Sequence, residues 1–417
     1  MGAFDDYARA RQVYPHPGLA RIQALLDEVG HPERRLSCLH IAGTNGKGSV
    51  AVFLDGILRA AGYRVGRYMT PELISPGERV AIGGEPIPDA TLTELLRALE
   101  APSERVHERL GEVPSPFEIF TVAAFQYFAR EGCDYVVLEA GMGGALDATN
   151  VIESPLVSIL TRISLDHTAY LGTTLTEIAR AKAGIIKEAC VTHRTFSAPQ
   201  CEEVASVLRE EAEKRGNTLT FVTPPPPKKH YGMYEAFFYP GYGDIRSGLA
   251  GVHQIENACL ALAVAQALGV DIFAAQCGVT YARHPGRMEI LRERPLLLFD
   301  GGHNPDGIAM LTASLGRYLG DAPRTCIYGC MADKDYRTCL RRLAEMPTRF
   351  IFTEVSGNPR ALPAGALTET AAELGIHGEC LPHLADAIAR ADEIGLPTVI
   401  AGSLYLYADL PSSLRGI

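Results

Sequence analysis

The stretch LSCLHIAGTNGKGSVAVFLDGILRAAG, Leu36–Gly62, decides the fold. Its first seven residues form a short apolar run of buried-strand length, and Ser49 onward places apolar residues at helical spacing. Between them lies Gly43-Thr44-Asn45-Gly46-Lys47-Gly48-Ser49, a turn that leaves a strand and opens a helix. Glycines let such a backbone wrap closely around a ligand. The exposed N–H groups and the helix N-terminus favour an anion, and Lys47 adds a point charge. A strict P-loop puts Ser or Thr directly after Lys, whereas here Gly48 intervenes, so the generic pattern is only approximated. Its setting between strand and amphipathic helix still points to nucleotide binding.

The same alternation continues outward through DYVVLEAG, PLVSILTRI, PLLLFDGG, RTCIYG, TRFIFTEV and PTVIAGS, each followed by a helix-length segment. It implies an α/β fold with a mostly parallel sheet covered by helices on both faces. With 417 residues, two or three domains are expected. RHPGRMEI interrupts the pattern, so the boundary is drawn near Arg287. A P-loop mononucleotide-binding domain is expected over residues 1–287, and a smaller C-terminal, Rossmann-like α/β domain over 288–417. Pro224–Pro227 and the aromatic, Gly-rich text after them read as a rigid loop with short antiparallel strands, an insertion on the first domain. No internal repeat of fixed period is evident.

Hydrophobic residues make up 47% and charged ones 21%, which argues against disorder and coiled coil. A net charge of -10 gives no general attraction to phosphate backbones or anionic lipid, so nucleic acid and membrane are not expected partners. The ten cysteines contain no Cys-x-x-Cys pair, and reduced thiols in the cytoplasm fit best. MGAFDDYARA has acids where a signal peptide would need basic and then apolar residues, and no apolar run is long enough to span a bilayer.

Several strand ends carry chemistry. Glu139 closes the apolar strand DYVVLE before a Gly-rich turn, where open α/β sheets collect ligands, and it could hold Mg²⁺ or cap the next element. Asp166 and His167 follow PLVSILTRI and are expected at the same edge, with His167 a second metal ligand or a hydrogen-bonded structural residue. Lys182 and Lys187 flank AGII, a segment too apolar to be only a solvated face, so one lysine should point inward. Further along, Asp300 closes PLLLFD before Gly-Gly-His303-Asn-Pro, Asp333-Lys-Asp335 follows RTCIYG, and Ser403 follows PTVIAG.

Taken in order, HIAGTNGKGS, RYMTPEL, PFEIFT, LEAGMGGALDATN, DHTAYLG, KAGIIK, HQIENACLA, HPGRMEI, DGGHNP, DKD and GSLYL make the chain resemble the folylpolyglutamate synthase and dihydrofolate synthase family, a branch of the Mur ligases. The resemblance implies amide formation between a pteroate or folate carboxylate and L-glutamate, driven by cleavage of ATP to ADP and phosphate through an acyl phosphate. It further implies that Thr70, Glu139 and His167 ligate Mg²⁺ while Ser49 and its loop cradle ATP. Lys182 matches a lysine that is often carbamylated, and Asn257 and Arg287 match residues that hold the nucleotide. Asp300, His303 and Ser403 match groups of the second domain that close on ATP and glutamate, so ATP would lie between the domains and closure would gate catalysis. Phe117 would contact the pterin ring or pack in the core, and a monomer is the family-like state.

Two positions depart from the family pattern. Met69-Thr70-Pro71-Glu72-Leu73 stands where Thr-Ser-Pro-His-Leu is usual, and Ala145 stands where an arginine is usual. Both remove positive character near acidic substrates. They motivate two other readings: a related ligase acting on a non-folate carboxylate, and a non-catalytic nucleotide-binding regulator.

Overall fold

The structure is a computed structural model that describes residues 18–188 and 193–415. The opening MGAFDDYARA, on which the argument about a signal peptide rests, lies outside them. The chain divides into two compact units, residues 1–224 with 256–279, and residues 225–255 with 280–417.

The first unit is built on eight strands: β1 (Cys38–Ala42), β2 (Val65–Tyr68), β3 (Val80–Ile82), β4 (Glu85–Pro86), β5 (Tyr135–Glu139), β6 (Val157–Leu160), β7 (Arg194–Ser197) and β8 (Leu219–Phe221). They run in the order β4-β3-β2-β5-β1-β6-β7-β8, parallel from β2 to β8 and antiparallel only at the β3 and β4 edge. The apolar text of β1 is buried at every position, as a central strand covered on both faces requires. Helices Lys47–Ala60 and Pro116–Arg130 help cover it. Ser115 starts the latter with a capping box, its hydroxyl accepting the Glu118 N–H while Glu118 accepts the Ser115 N–H. Because β2, β5, β1 and β6 are neighbours and parallel, the segments leaving their C-terminal ends emerge side by side. Those segments carry Thr70, Glu139 with the Gly-rich turn, the 43–49 loop and the 161–167 run.

In the second unit, β9 (Lys229–Tyr231), β10 (Tyr234–Tyr239) and β11 (Gly243–Ala250) form an antiparallel sheet. Six further strands, β12 (Glu289–Glu293), β13 (Leu296–Asp300), β14 (Arg324–Tyr328), β15 (Thr348–Phe352), β16 (Gly378–Cys380) and β17 (Thr398–Ala401), are ordered β12-β13-β17-β14-β15-β16. All but β12 are parallel. The antiparallel strands expected after the prolines are present, but they are not an insertion on the first domain. Met233 and Ala250 are buried in one core with Met288, Leu298, Ile308 and Leu315. Buried Glu235 of β10 also accepts from Arg317 Nη2 at 3.1 Å and Tyr318 Oη at 2.8 Å on helix Pro305–Leu319. Apolar burial and a paired internal charge therefore bind this hairpin to the C-terminal sheet. As a result the chain passes between units at 224/225, 255/256 and 279/280, the last crossing falling shortly before the boundary expected near Arg287.

Candidate active site

In the first unit the 43–49 loop is shaped by two glycines. Gly43 has φ +154° and Gly46 φ +92°, and a Cβ at either would collide with Thr161 Oγ1 or Asn257 Oδ1 respectively. Asn257, on helix Gln254–Ala267, is thus pressed directly against the loop. Arg162 O accepts the Thr44 N–H at 2.8 Å and the Asn45 N–H at 3.3 Å, which ties the loop's first half to the end of β6. The first intrahelical bond is Val50 N–H to Gly46 O, so the N–H groups of Lys47, Gly48 and Ser49 have no partner within the helix and lie at its N-terminal end, where an anion is favoured. The cradle is therefore narrower than the seven-residue motif.

Two lysines converge on one carbonyl. Lys182 Nζ donates to Gly43 O at 2.7 Å, and Lys47 Nζ donates to Gly43 O and Thr44 O at 3.3 Å each. Lys47 Nζ also lies 3.8 Å from Glu139 Oε1, at the end of β5. Of the two lysines in KAGIIK, Lys182 is the buried one, on helix Leu175–Ala183. Burial, reinforced by the charge of Lys47 and opposed by Asp166 and Asp147, pulls its pKa down to about 7. Lys187 is half-buried, donates to Asn150 O at 3.1 Å, and is lowered to about 8, chiefly by burial.

His167 does not sit at a strand end. β6 stops at Leu160, and His167 caps the short helix Thr168–Leu171 with φ +52°, exposed, its N–H donating to Asp166 Oδ1 at 2.8 Å. Among the described residues no group of three or more His, Cys, Asp or Glu gathers as a metal cage. The oxygen donors on the neighbouring segments are the buried carboxylate of Glu139 and the hydroxyl of Thr70. Such hard oxygen donors fit Mg²⁺, which takes one or two carboxylates plus substrate phosphates in preference to an all-protein cage.

Phe117 opens helix Pro116–Arg130, half-buried, and a Cβ on Gly141 would lie 2.8 Å from its Cζ, so the ring flanks the Gly-rich turn. Nearby, Glu72 forms a two-point pair with Arg79, Nε to Oε2 at 2.6 Å and Nη2 to Oε1 at 2.8 Å, and that guanidinium lies 5.2 Å over the buried Phe120 ring. Glu78 accepts the N–H groups of Leu73, Ile74 and Ser75, so residues 70–79 form a closed loop around two carboxylates. The pair is about three-quarters buried, and Glu72→Ala is expected to cost about 1 kcal/mol of stability or less, measured by urea unfolding. Ala145, the other departure, packs its Cβ against Gly184, and its N–H donates to Ala181 O at 2.7 Å.

Arg287, Asp300, His303 and Ser403 all lie in the second unit, whereas Asn257 belongs to the first. Asp300, at the end of β13, accepts the Met288 N–H and the Gly302 N–H at 2.9 Å each. Arg287, half-buried, directly precedes Met288. His303 Nδ1 lies 3.1 Å from Gly301 O, so Nδ1 carries the proton and donates. β13 pairs with β17, and Gly402 N–H to Gly302 O joins the two following loops. Ser403, buried, accepts the Tyr405 N–H at 3.2 Å and so caps its own turn. Asp335 similarly caps helix Tyr336–Ala344. Sequence reading missed His40, Thr149, Asp147 and Arg79; a histidine inside the otherwise apolar β1 was the available signal for the first.

The Mur ligase middle domain matches residues 41–265, and the Mur ligase glutamate ligase domain matches residues 286–400. The dihydrofolate synthase/folylpolyglutamate synthase of Bacillus subtilis (strain 168) is 33% identical, over 96% of this chain and 95% of its own. Mycobacterium tuberculosis folylpolyglutamate synthase, solved with ADP and AMPPCP, superposes with TM-score 0.88 at 33% identity, covering 94% of each chain. E. coli FolC in complex with DHPP and ADP superposes with TM-score 0.86 at 28% identity, covering 97% of this chain and 95% of that one. By strand order, loop geometry and likeness along almost its full length, the chain belongs to the folylpolyglutamate synthase/dihydrofolate synthase family of Mur ligases.

Proposed function

We infer that this protein is an ATP-dependent ligase that joins L-glutamate to dihydropteroate or a reduced folate, with ADP and phosphate as the other products. The observation that carries the reading is the meeting of Lys47 and Lys182 at the Gly43 carbonyl, with Glu139 3.8 Å from Lys47, beside a helix N-terminus. Only fixed cations and N–H groups can offset the charge of a transferring phosphoryl group and an attacking carboxylate.

The substrate carboxylate oxygen attacks the γ-phosphorus, the bond to the ADP oxygen breaks, and an acyl phosphate forms. The glutamate amine, having lost a proton, then attacks the acyl carbon and expels phosphate. Lys47 and the N–H groups of Lys47, Gly48 and Ser49 hold the phosphates, and Asn257 borders the loop on the nucleotide side. Thr70, Glu139 and His167 would hold Mg²⁺, which when bound neutralises phosphate charge. His167 would join that set from an exposed turn. Lys182, with its depressed pKa, is available as a neutral amine for carbamylation. Phe117 would take the pterin ring. Arg287, Asp300, His303 and Ser403 supply the second unit's part, Asp300 by shaping the loop that carries His303.

Glu72 does not add a bare negative charge to the acidic substrates, because Arg79 balances it. The folate reading is thereby favoured over a non-folate carboxylate. No helix among the described residues is long and apolar enough to cross a membrane, and a cytoplasmic monomer is the state proposed. Phosphate release should be measured across dihydropteroate, tetrahydrofolate and unrelated carboxylic acids, each with L-glutamate and other amino acids. Glutamate-dependent release with a pteroate or folate is expected. Release confined to a non-folate acid would overturn the assignment.

A further inference from the structure

His40 is fully buried at the centre of β1, flanked by Leu138 of β5 and Ser158 of β6, three residues before Gly43. A buried imidazole inside an apolar strand is costly unless it is paired. Its Nε2 lies 2.8 Å from Thr149 Oγ1. That hydroxyl donates its only proton to Asp147 Oδ1 at 2.6 Å, so it must accept from His40. The tautomer is thereby fixed as Nε2–H. Burial, with the nearby charge of Lys187, lowers the ring's pKa to about 3 and keeps it neutral. Asp147 also accepts the Thr149 N–H at 3.0 Å and the Met142 N–H at 2.9 Å. Met142 lies in the Gly-rich turn that leaves Glu139 and flanks Phe117.

We propose that His40 is a positioning residue for the ligation site, acting through the Thr149 hydroxyl and the Asp147 carboxylate to hold the Gly141–Met142 turn in place. A hydroxyl is oriented most narrowly when both its donor and its acceptor directions are taken. Donation from His40 leaves the Thr149 proton only the direction of Asp147. The carboxylate, with its lone pairs committed, then fixes the backbone that follows Glu139. Without His40 the acceptor side of the hydroxyl is released and only its bond to Asp147 orients it, so the turn loosens although no residue that touches substrate has changed.

The test exploits side-chain length. Glutamine can place its amide N–H where Nε2–H lies, whereas asparagine reaches only the Nδ1 position. Full-length His40→Gln, His40→Asn, Thr149→Ser and Thr149→Val are compared by amide hydrogen exchange at Met142 and Thr149 and by kcat with ATP, folate and L-glutamate. The catalytic readout rests on the ligase reading above, and the exchange readout does not. His40→Asn and Thr149→Val are expected to speed exchange and to lower kcat about tenfold or more, while His40→Gln and Thr149→Ser stay near wild type. Equal behaviour of the Gln and Asn variants in both measures would reduce His40 to space-filling. Should the His40→Asn protein not fold, the Thr149 pair makes the same comparison, and unchanged exchange in Thr149→Val would overturn the proposal. If the wild-type protein forms no glutamyl product, the ligase reading fails and the exchange results still decide the role of His40.

Discussion

Lys47→Ala is expected to lower ATP-dependent phosphate release at least about 100-fold, the scale on which losing one preorganised charge at a reacting centre acts. The fold should hardly notice. Lys47 stands on the first turn of its helix, and its Nζ contacts are two carbonyls at 3.3 Å and the Glu139 carboxylate at 3.8 Å. Each such ammonium-to-carbonyl bond is charge-assisted but long, contributing about 1.5 kcal/mol, and Lys182 remains to satisfy Gly43 O. Melting temperature should therefore fall by only a few degrees. Lys47→Arg sharpens the point, because a planar, longer guanidinium cannot place a compact charge where the ammonium sits. Most of the loss should persist in that variant. Near-normal turnover in Lys47→Ala would remove the phosphate-binding role from this loop.

The strand–turn–helix at Leu36–Gly62 was readable because its apolar spacing and its glycines are local properties. The parallel sheet followed from the same alternation, repeated along the chain. What could not be read was partnership across the sequence. β9 to β11 pack with the C-terminal sheet because Met233 and Glu235 find their partners at Met288 and Arg317, more than fifty residues on. Glu72 reads as unfavourable acidity until Arg79 is seen to embrace it. The position of His167 was misjudged because TRISLDH continues an apolar strand in writing, whereas the backbone leaves the sheet at Leu160. Lys182 was legible as an inward lysine, but its shared carbonyl with Lys47 needed the loop's three-dimensional path.

Lys182→Met should move activity and stability in opposite directions. The ammonium is taken out of water beside a second cation, so folding depresses its pKa from 10.5 to about 7. Between those values the unfolded chain carries a proton that the folded chain lacks, and stability rises with pH across that window. Below it the full desolvation cost is present. Methionine fills a similar volume without charge, so the variant should be more stable by about 1 to 3 kcal/mol at or below neutral pH, with the gain shrinking toward pH 10. Its ligation should fall at least about 100-fold, since the site loses either a cation or, if carbamylated, a carboxylate. The two cases separate in the wild-type protein. A carbamylated Lys182 adds the mass of one CO₂ to its peptide under non-acidic conditions and no longer titrates as an amine, which flattens the pH dependence of melting. A free amine keeps that slope, and adding bicarbonate should then remove it. If Lys182→Met melts no higher than wild type at about pH 6, burial is not straining this lysine, and the reading of it as an amine poised to react is lost.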